Sequence, residues 1–415
     1  MMRMVLPTLL ATMIVASPLA AQLLPQVQVP DVGGTVGGVT ETLDQTLEGV
    51  DETVQREARR LLRTRDRTLD RLLRRNRDSI ARDVNGDLAR KGELLAMGVT
   101  AQDQAAIDDA GFRVLSTETI EGLGLTITRL ALPDDLDLAE AEALARELGI
   151  GTQISADNLH YQSGARIMTV SSAPVPATVR SAASIGVEVG MIDGATGPWV
   201  RPTAAKGFAQ GAPAASNHGS AVASLLKGAG VARVRVADVY GTDPAGGNAL
   251  AIARGLGWLV ASGSEVVTIS LVGPRNAVVE QAIAAAQRKG VVMVAAVGND
   301  GPAAPPAYPA SYDGVVAVTG VDSRNRALIE AGRALHLDYA APGADVFALD
   351  AQGTFTKWRG TSFATPLAAA RLAAAIERGG NWRTVLDREA RDLGPKGPDA
   401  TYGRGLLCGD CARKK

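Results

Sequence analysis

Four polar residues stand in settings where each could take part in nucleophilic chemistry. Asp193 follows an apolar run in MIDGATG, His218 stands in NHGSAVASLLKG, Asn299 in AAVGNDGP and Ser362 in RGTSFATPLAAA. A serine becomes a nucleophile when a histidine takes its proton and a carboxylate orients that histidine. An asparagine amide can stabilise the resulting oxyanion. Taken singly, each residue could also be a helix cap, a turn residue or a structural histidine.

The segments around these residues predict the elements that must position them. From Ile185 onward, short apolar runs predict strands at Ile185–Ile192, Val234–Val239, Val266–Leu271, Val291–Val297 and Val315–Val321. Helices are predicted around His218–Lys227, Asn248–Ser262 and Asn276–Lys289. This alternation indicates a parallel sheet with helices on both faces, an α/β fold. Sites in such sheets lie at the carboxyl ends of strands, where Asp193, Ser270 and Asn299 fall.

The serine segment predicts a helix that begins beside the nucleophile. Gly360 permits close approach of another group, and the helix N-terminus favours a developing negative charge near Ser362. Pro366 is expected within the first turn, where proline is tolerated. The other two histidines have plainer settings: His160 is placed in the last strand of a small N-terminal unit, and His336 at an ordinary strand position.

The order of Asp193, His218, Asn299 and Ser362 in glycine-flanked settings resembles the subtilisin-like serine peptidases. The matching segments are VGMIDGATG, NHGSAVASLLKG, VVMVAAVGNDGP and GTSFATPLAAA, within residues 180–407. The resemblance implies a serine endopeptidase in which Ser362 attacks a peptide carbonyl, His218 takes its proton and Asp193 orients His218. Asn299 and the Ser362 N–H are then expected to form the oxyanion hole.

The resemblance also implies a substrate-binding surface and carries two departures. Ser270, Leu271 and Gly273, in SLVGP, correspond to a strand edge that binds substrate, and Ala296 to Gly298 form the opposite wall of a side-chain pocket. The family usually has threonine or serine after its catalytic aspartate, but here Gly194 and Ala195 follow. The family's usual sequence HGT at the catalytic histidine is replaced here by HGS. The first change removes a hydrogen-bonding neighbour of the carboxylate.

The N-terminal part divides into three predicted segments. Residues 1–21 combine Arg3, an apolar stretch and a small-residue exit, which is typical of a secretory signal and favours a secreted or periplasmic protein; a membrane anchor is the weaker alternative. Residues 22–91 contain a glycine-rich spacer and an amphipathic helix with many arginines. The basic face of this helix is either solvated or bound to an anionic surface.

Residues 92–161 predict a small α+β unit with the order β-α-β-β-α-β, a split βαβ fold, ahead of a peptidase domain at 162–415. The resemblance implies that this unit is an inhibitory propeptide whose tail lies in the active-site cleft. Tyr161 is then the last residue before self-cleavage, and its ring is expected between SLVGP and Ala296–Gly298.

Composition limits the partners. The chain has 415 residues and a net charge of −1, so nothing in its overall charge indicates a nucleic acid or a membrane surface. The expected partners are protein or peptide substrates and the chain's own propeptide. We expect no cofactor and no metal in the site. Structural calcium stays an open alternative, although no compact acidic loop of the calcium-binding kind stands out. The two cysteines, Cys408 and Cys411, favour a small local disulfide.

Two other functions fit parts of the sequence. A different serine hydrolase is suggested by the SxxK pattern Ser224–Lys227, but the SDN and KTG motifs that accompany it elsewhere do not occur. A non-catalytic peptide-binding module is suggested only by Gly194–Ala195. The complete set of four polar residues argues against it.

Overall fold

The computed structural model describes residues 52–162, 165–167 and 184–409. The predicted signal segment, the glycine-rich spacer and Cys411 lie outside the described residues. Cys408 is disulfide-bonded. Within the described part of the chain, no helix is long and apolar enough to cross a membrane.

The larger unit is built on a seven-stranded parallel sheet in the order β15-β14-β13-β11-β8-β10-β9. These strands are β8 (Val189–Asp193), β9 (Ala204–Gly207), β10 (Val234–Asp238), β11 (Val266–Ile269), β13 (Val292–Ala296), β14 (Val316–Val321) and β15 (Tyr339–Pro342). Three further short pairings involve β6 (Tyr161–Gln162), β7 (Ala165–Ile167), β12 (Leu271–Val272), β16 (Ala344–Leu349) and β17 (Phe355–Arg359). The predicted α/β architecture is confirmed.

Alternate residues of each buried strand enter cores on opposite faces of the sheet. Val189 and Met191 pack on one face with α4 (Asn217–Gly228) and α7 (Thr361–Glu377). Ile192 packs on the other face with α5 (Ala249–Ala261) and α6 (Ala277–Arg288). Because both faces are covered, the strands are apolar throughout rather than alternating. A last helix, α8 (Trp382–Glu389), follows α7.

The smaller unit is an antiparallel sheet with two helices on one face. Its strands are β1 (Ile80–Arg82), β2 (Leu88–Met97), β3 (Arg113–Ile120), β4 (Leu125–Ala131) and β5 (Gln153–Asn158); its helices are α2 (Asp103–Asp109) and α3 (Leu138–Glu147). The sheet order is β1-β2-β4-β3, and β5 also pairs with β2, at Ala89 and at Leu94–Met97. The elements follow the predicted order, but the sheet begins at Ile80, because a hairpin adds β1 before the predicted first strand.

The two faces of the small sheet have different partners. Leu94 and Leu130 point towards α2 and α3 and form the unit's own core. Leu95 and Ile127 lie on the opposite face and share a core with α5 and α6 of the larger unit. The small unit is therefore packed against the large one through the second face of its sheet.

The arginine-rich helix α1 (Glu52–Arg75) lies across both units. Leu62 packs on Ala304 of the large unit, while Leu69 and Leu72 pack on a cluster that includes Leu88 of the small unit. Arg65 forms an ion pair with Asp300 at 3.3 Å. The sequence indicated only solvent or an anionic surface around the basic face, so the intramolecular docking of this helix was not predicted.

The sequence predicted His160 and His336 in strands, but the structure places both outside strands. His336 precedes β15 in a bend, where its Nε2 contacts the carbonyl of Val315 at 2.8 Å. His160 lies between β5 and β6 and is completely buried. Both positions alternate with apolar residues in sequence, which is the pattern of a strand, but neither belongs to a continuous strand of the structure.

Candidate active site

Asp193 and His218 meet at the carboxyl end of the central strand. Asp193 ends β8 and is fully buried, and His218 is the second residue of α4. Nδ1 of His218 lies 2.8 Å from Oδ2 and 3.0 Å from Oδ1 of Asp193. Because a carboxylate accepts, Nδ1 carries the hydrogen, and Nε2 is left as the basic atom of the ring.

Ser216 sets where the helix with His218 begins. It is the N-cap of α4, and its hydroxyl accepts a hydrogen bond from the N–H of Gly219 at 3.2 Å. This cap fixes the first turn, so His218 projects from a defined position towards β8. Serine two residues before the histidine is an N-cap pattern that sequence reasoning could have used.

The carboxylate of Asp193 has two further donors. The backbone N–H of Gly194 donates to Oδ1 at 2.7 Å, and the side-chain amide of Gln162 donates to the same oxygen at 2.8 Å. Gly194 has no hydroxyl to offer, and these two groups donate to the carboxylate in the described structure. The Gln162 contact was not predicted, since nothing in the sequence brings residue 162 to residue 193.

Ser362 is the second residue of α7, and a glycine makes its approach possible. Gly360, the N-cap, has φ of 141°, a conformation that favours glycine. The Ser362 hydroxyl donates to the carbonyl of Ser270 at 3.1 Å. Within the described residues, the buried Nε2 of His218 has no hydrogen-bond partner. The histidine is therefore oriented by Asp193 but is not hydrogen-bonded to the serine.

Pro366 explains a second bond between Ser270 and Ser362. It was predicted in the first turn of α7 but lies in the second. Because proline has no N–H, it cannot donate to the carbonyl four residues earlier, which is that of Ser362. The hydroxyl of Ser270 donates to this carbonyl instead, at 3.0 Å. The side chain of Ser270 thus supports the start of the serine helix, a role that the sequence did not indicate.

Asn299 connects the serine helix to the loop after β13. Its Oδ1 accepts from the N–H of Thr361 at 3.0 Å, which caps α7 from outside. Its Nδ2 is buried and has no hydrogen-bond partner within the described residues. An unsatisfied buried donor is costly, so its position beside the serine helix suits a ligand that brings negative charge.

The two segments predicted to bind substrate lie next to one another. The backbone of Leu271 pairs with Gln162, and that of Val272 with Tyr161, in antiparallel register. A side chain on Gly298 would contact Val272 at 3.3 Å, which places the two predicted walls opposite one another. Leu271 and Ala296 are themselves fully buried in the core. Leu271 therefore meets the paired strand through its backbone.

Tyr161 does not occupy the predicted pocket. Its ring packs on the cluster of the small unit together with Leu69, Leu72 and Leu73 of α1. The prediction of its side-chain position was wrong because successive side chains of a strand point to opposite faces. His160, one residue earlier, lies on Gly273 instead, since a side chain on that glycine would contact its ring at 2.6 Å.

Two buried ionisable groups lie in the tail of the small unit, the segment that leads from β5 into β6. Burial raises the pKa of Asp157 to about 7, although this carboxylate accepts from the N–H of Leu250 at 2.9 Å. Burial lowers the pKa of His160 to about 4. Neither ring nitrogen of His160 has a partner within the described residues. Among those residues, no three His, Cys, Asp or Glu side chains are grouped as metal ligands would be.

Comparison with known proteins places this arrangement in a family. The model of the subtilase family matches residues 198–405, which include His218, Asn299 and Ser362 but not Asp193. Subtilisin BL from Lederbergia lenta is 31% identical over 250 residues, covering 55% of this chain and 91% of the relative. Subtilisin Savinase from the same organism is 32% identical over 210 residues, covering 49% of this chain and 75% of the relative.

A longer relative and a solved structure extend the comparison. The minor extracellular protease Epr of Bacillus subtilis is 30% identical over 199 residues, which span 46% of this chain but only 30% of that protein's length. The crystal structure of fervidolysin from Fervidobacterium pennivorans, described as a keratinolytic enzyme related to subtilisin, superposes with a TM-score of 0.62 at 15% identity. The superposition covers 78% of this chain and 61% of fervidolysin, and it supports the fold alone. The chain belongs to the subtilase family of serine-type endopeptidases.

Proposed function

We propose that this chain is a secreted or periplasmic serine endopeptidase that is made as a self-processing zymogen. The observation that carries the catalytic part is the Asp193–His218 pair, at 2.8 Å, beside Ser362 and the unpaired amide of Asn299. Export is supported by the signal-like residues 1–21 and by the relative named as an extracellular protease.

The proposed chemistry follows from the orientation of His218. Its Nδ1 hydrogen is held by Asp193, so Nε2 takes the proton of Ser362 as the hydroxyl attacks a peptide carbonyl. The imidazolium then gives this proton to the leaving amine, and water hydrolyses the acyl-enzyme by the reverse sequence. Before the attack, the Ser362 hydroxyl exchanges its bond to the Ser270 carbonyl for one to Nε2.

The oxyanion is stabilised by groups that α7 and its neighbour provide. Nδ2 of Asn299 is a buried donor, and the N–H of Ser362 belongs to the first turn of α7. Because the Oδ1 of Asn299 is fixed by Thr361, its amide is oriented before the charge develops. Fixed donors need no reorganisation during the reaction, which makes them effective.

Latency is supported by the way in which the chain crosses its own cleft. Gln162 pairs with Leu271 on one side of the site. Ala165 pairs with Arg359, three residues before Ser362, on the other side. We therefore place the bond that is cut between Gln162 and Ala165, on the carboxyl side of the predicted Tyr161–Gln162 bond. Residues 163 and 164 lie outside the described residues.

The helix α1 is proposed to be part of the inhibitory segment. Leu61 packs against Gly301, two residues after Asn299, and Arg65 pairs with Asp300. At the other end, Leu69, Leu72 and Leu73 pack with Tyr161. The helix thus bridges the oxyanion loop and the tail in the cleft, and the inhibitory segment includes α1 as well as residues 92–161.

The activity is tested with casein and a fluorophosphonate probe. The processed protein should hydrolyse casein and be labelled covalently at Ser362. Ser362→Ala should lose both properties while keeping its fold by circular dichroism. Normal casein hydrolysis by the Ser362→Ala protein would contradict the proposal.

A further inference from the structure

We propose that Gly194, Ser216 and Asp193 form a subsite that selects a glutamine side chain in peptide substrates. The selected residue is the one whose backbone pairs with Leu271. The inference rests on the proposed peptidase function and names the chemistry of the substrate that this site prefers.

The first observation is the position of Gln162 in the cleft. It pairs with Leu271 in an antiparallel strand, as a bound peptide would. Its Nε2 donates to Oδ1 of Asp193 at 2.8 Å and lies 3.3 Å from Oγ of Ser216, which can accept its second hydrogen. One primary amide therefore has two acceptors on the enzyme, and one of them belongs to the catalytic machinery.

The second observation is the absence of a side chain at Gly194. A Cβ at this position would lie 2.5 Å from Cβ and 2.9 Å from Oγ of Ser216, and 3.3 Å from Nε2 of Gln162. Any larger residue must displace Ser216 or narrow the space that the amide occupies. In place of the Asp-Thr or Asp-Ser pattern, Asp-Gly removes a hydroxyl beside Asp193. The same change makes room for a hydrogen-bond donor from the substrate.

The chemistry of the subsite distinguishes side chains of similar size. An amide donates to the carboxylate of Asp193, which must stay ionised to orient His218. Glutamate has the same length but brings a second negative charge to that oxygen, so it is repelled. Leucine fills a similar volume but leaves the oxygen without this donor. The order of preference is glutamine, then leucine, then glutamate.

The test uses the processed enzyme and three fluorogenic peptides that differ only at the selected residue. A hydrogen bond to a charged group implies that kcat/KM for glutamine exceeds that for leucine by about tenfold to a hundredfold. Glutamate should be cleaved more slowly than leucine. Equal rates with all three peptides would overturn the subsite but not the peptidase, whereas no hydrolysis of any peptide would overturn the proposed function itself.

Variants assign the preference to the named residues. Gly194→Ala should bring the glutamine-to-leucine ratio close to one, and Ser216→Ala should lower it by a smaller factor. Because the ratio is taken within one enzyme, a general loss of turnover in either variant does not affect it. Unchanged ratios in both variants would overturn the assignment to Gly194 and Ser216.

The full chain gives an independent readout of the same subsite. Gln162→Glu should slow self-processing by at least about tenfold, since it places a carboxylate against Asp193. Gln153→Glu makes the same change at an exposed position of β5 and should process at the wild-type rate. Equal processing of both variants would contradict a selective subsite.

Discussion

The two halves of the proposed catalytic centre make different contacts. Asp193 and His218 are joined by short contacts, and Asp193 also accepts from the N–H of Gly194 and from the side chain of Gln162. Ser362 is oriented by Ser270 instead, and Nε2 of His218 has no partner within the described residues. The first half is fixed by the ends of a central strand and a capped helix. In the second half, the bond from the Ser362 hydroxyl to the Ser270 carbonyl must be exchanged for one to Nε2 of His218 before attack.

The largest expected effect comes from the fixed half. Asp193→Asn should lower kcat by about ten-thousandfold, because the amide can donate to Nδ1 and stabilise the wrong tautomer of His218. Hydrolysis of a fluorogenic peptide measures this loss. The matched control is Asp238→Asn, since Asp238 ends the neighbouring strand opposite Asp193 and accepts from the backbone N–H groups of Ala214 and Tyr240. A comparable loss in the control would show that a buried charge, and not the orientation of His218, matters.

The second-largest effect is expected from removing the oxyanion donor. Asn299→Asp keeps Oδ1 for the N–H of Thr361 but removes the donor Nδ2, so the helix cap survives while the oxyanion loses its stabilisation. We expect kcat to fall by at least about a hundredfold, with a small change in KM. Thermal unfolding of the same protein reports on the cap. If kcat stayed within threefold of wild type, Asn299 would not be the oxyanion donor.

Sequence reasoning predicted the parts of the site that depend on local pattern. The strands and helices that carry Asp193, His218 and Ser362 follow from short apolar runs separated by helical segments, and their shared sheet edge follows from parallel topology. The contacts of Gln162 and Tyr161 could not be predicted in the same way, because they depend on the register of a two-residue strand. A shift by one residue exchanges the sides to which the side chains point. The docking of α1 depends on long-range apolar contacts that no local pattern specifies.

A moderate effect is expected from helix α1. Replacing both Leu61 and Leu62 by alanine removes apolar contacts with Gly301 and Ala304 but keeps helix propensity. The cleaved segment should then dissociate about tenfold faster, seen as a shorter lag before a fluorogenic peptide is hydrolysed. The control replaces Arg63 and Arg67, on the exposed side of the same helix, by alanine. Equal lags for the two double variants would show that α1 does not hold the segment in place.

The smallest effects concern the two buried groups of the tail, tested in the unprocessed Ser362→Ala protein. The pKa of His160 is lowered from 6.5 to about 4, so the unfolded chain binds a proton that the folded protein does not between these values. His160 therefore destabilises the protein increasingly as the pH falls from about 6.5 to 4. The Tm of a His160→Phe variant, relative to its parent, should rise over that interval. A constant difference would contradict this titration.

Asp157 should have the opposite dependence. Its pKa is raised from 3.8 to about 7, so the folded protein keeps a proton that the unfolded chain releases between these values. Stability from the protonated form is complete below about 3.8 and is lost as the pH rises to about 7. The Tm of an Asp157→Asn variant, relative to its parent, should therefore rise with pH over this interval. A difference that falls with pH would reverse the assignment.

The most direct test of the central claim is the mass of the purified full chain after incubation, compared with that of its Ser362→Ala variant. Both proteins should be expressed in a host that lacks extracellular proteases. Self-processing predicts that the wild-type chain is cut between Gln162 and Ala165, whereas the Ser362→Ala chain stays uncut at this place. A Ser362→Ala chain cut at the same bond would contradict self-processing through Ser362.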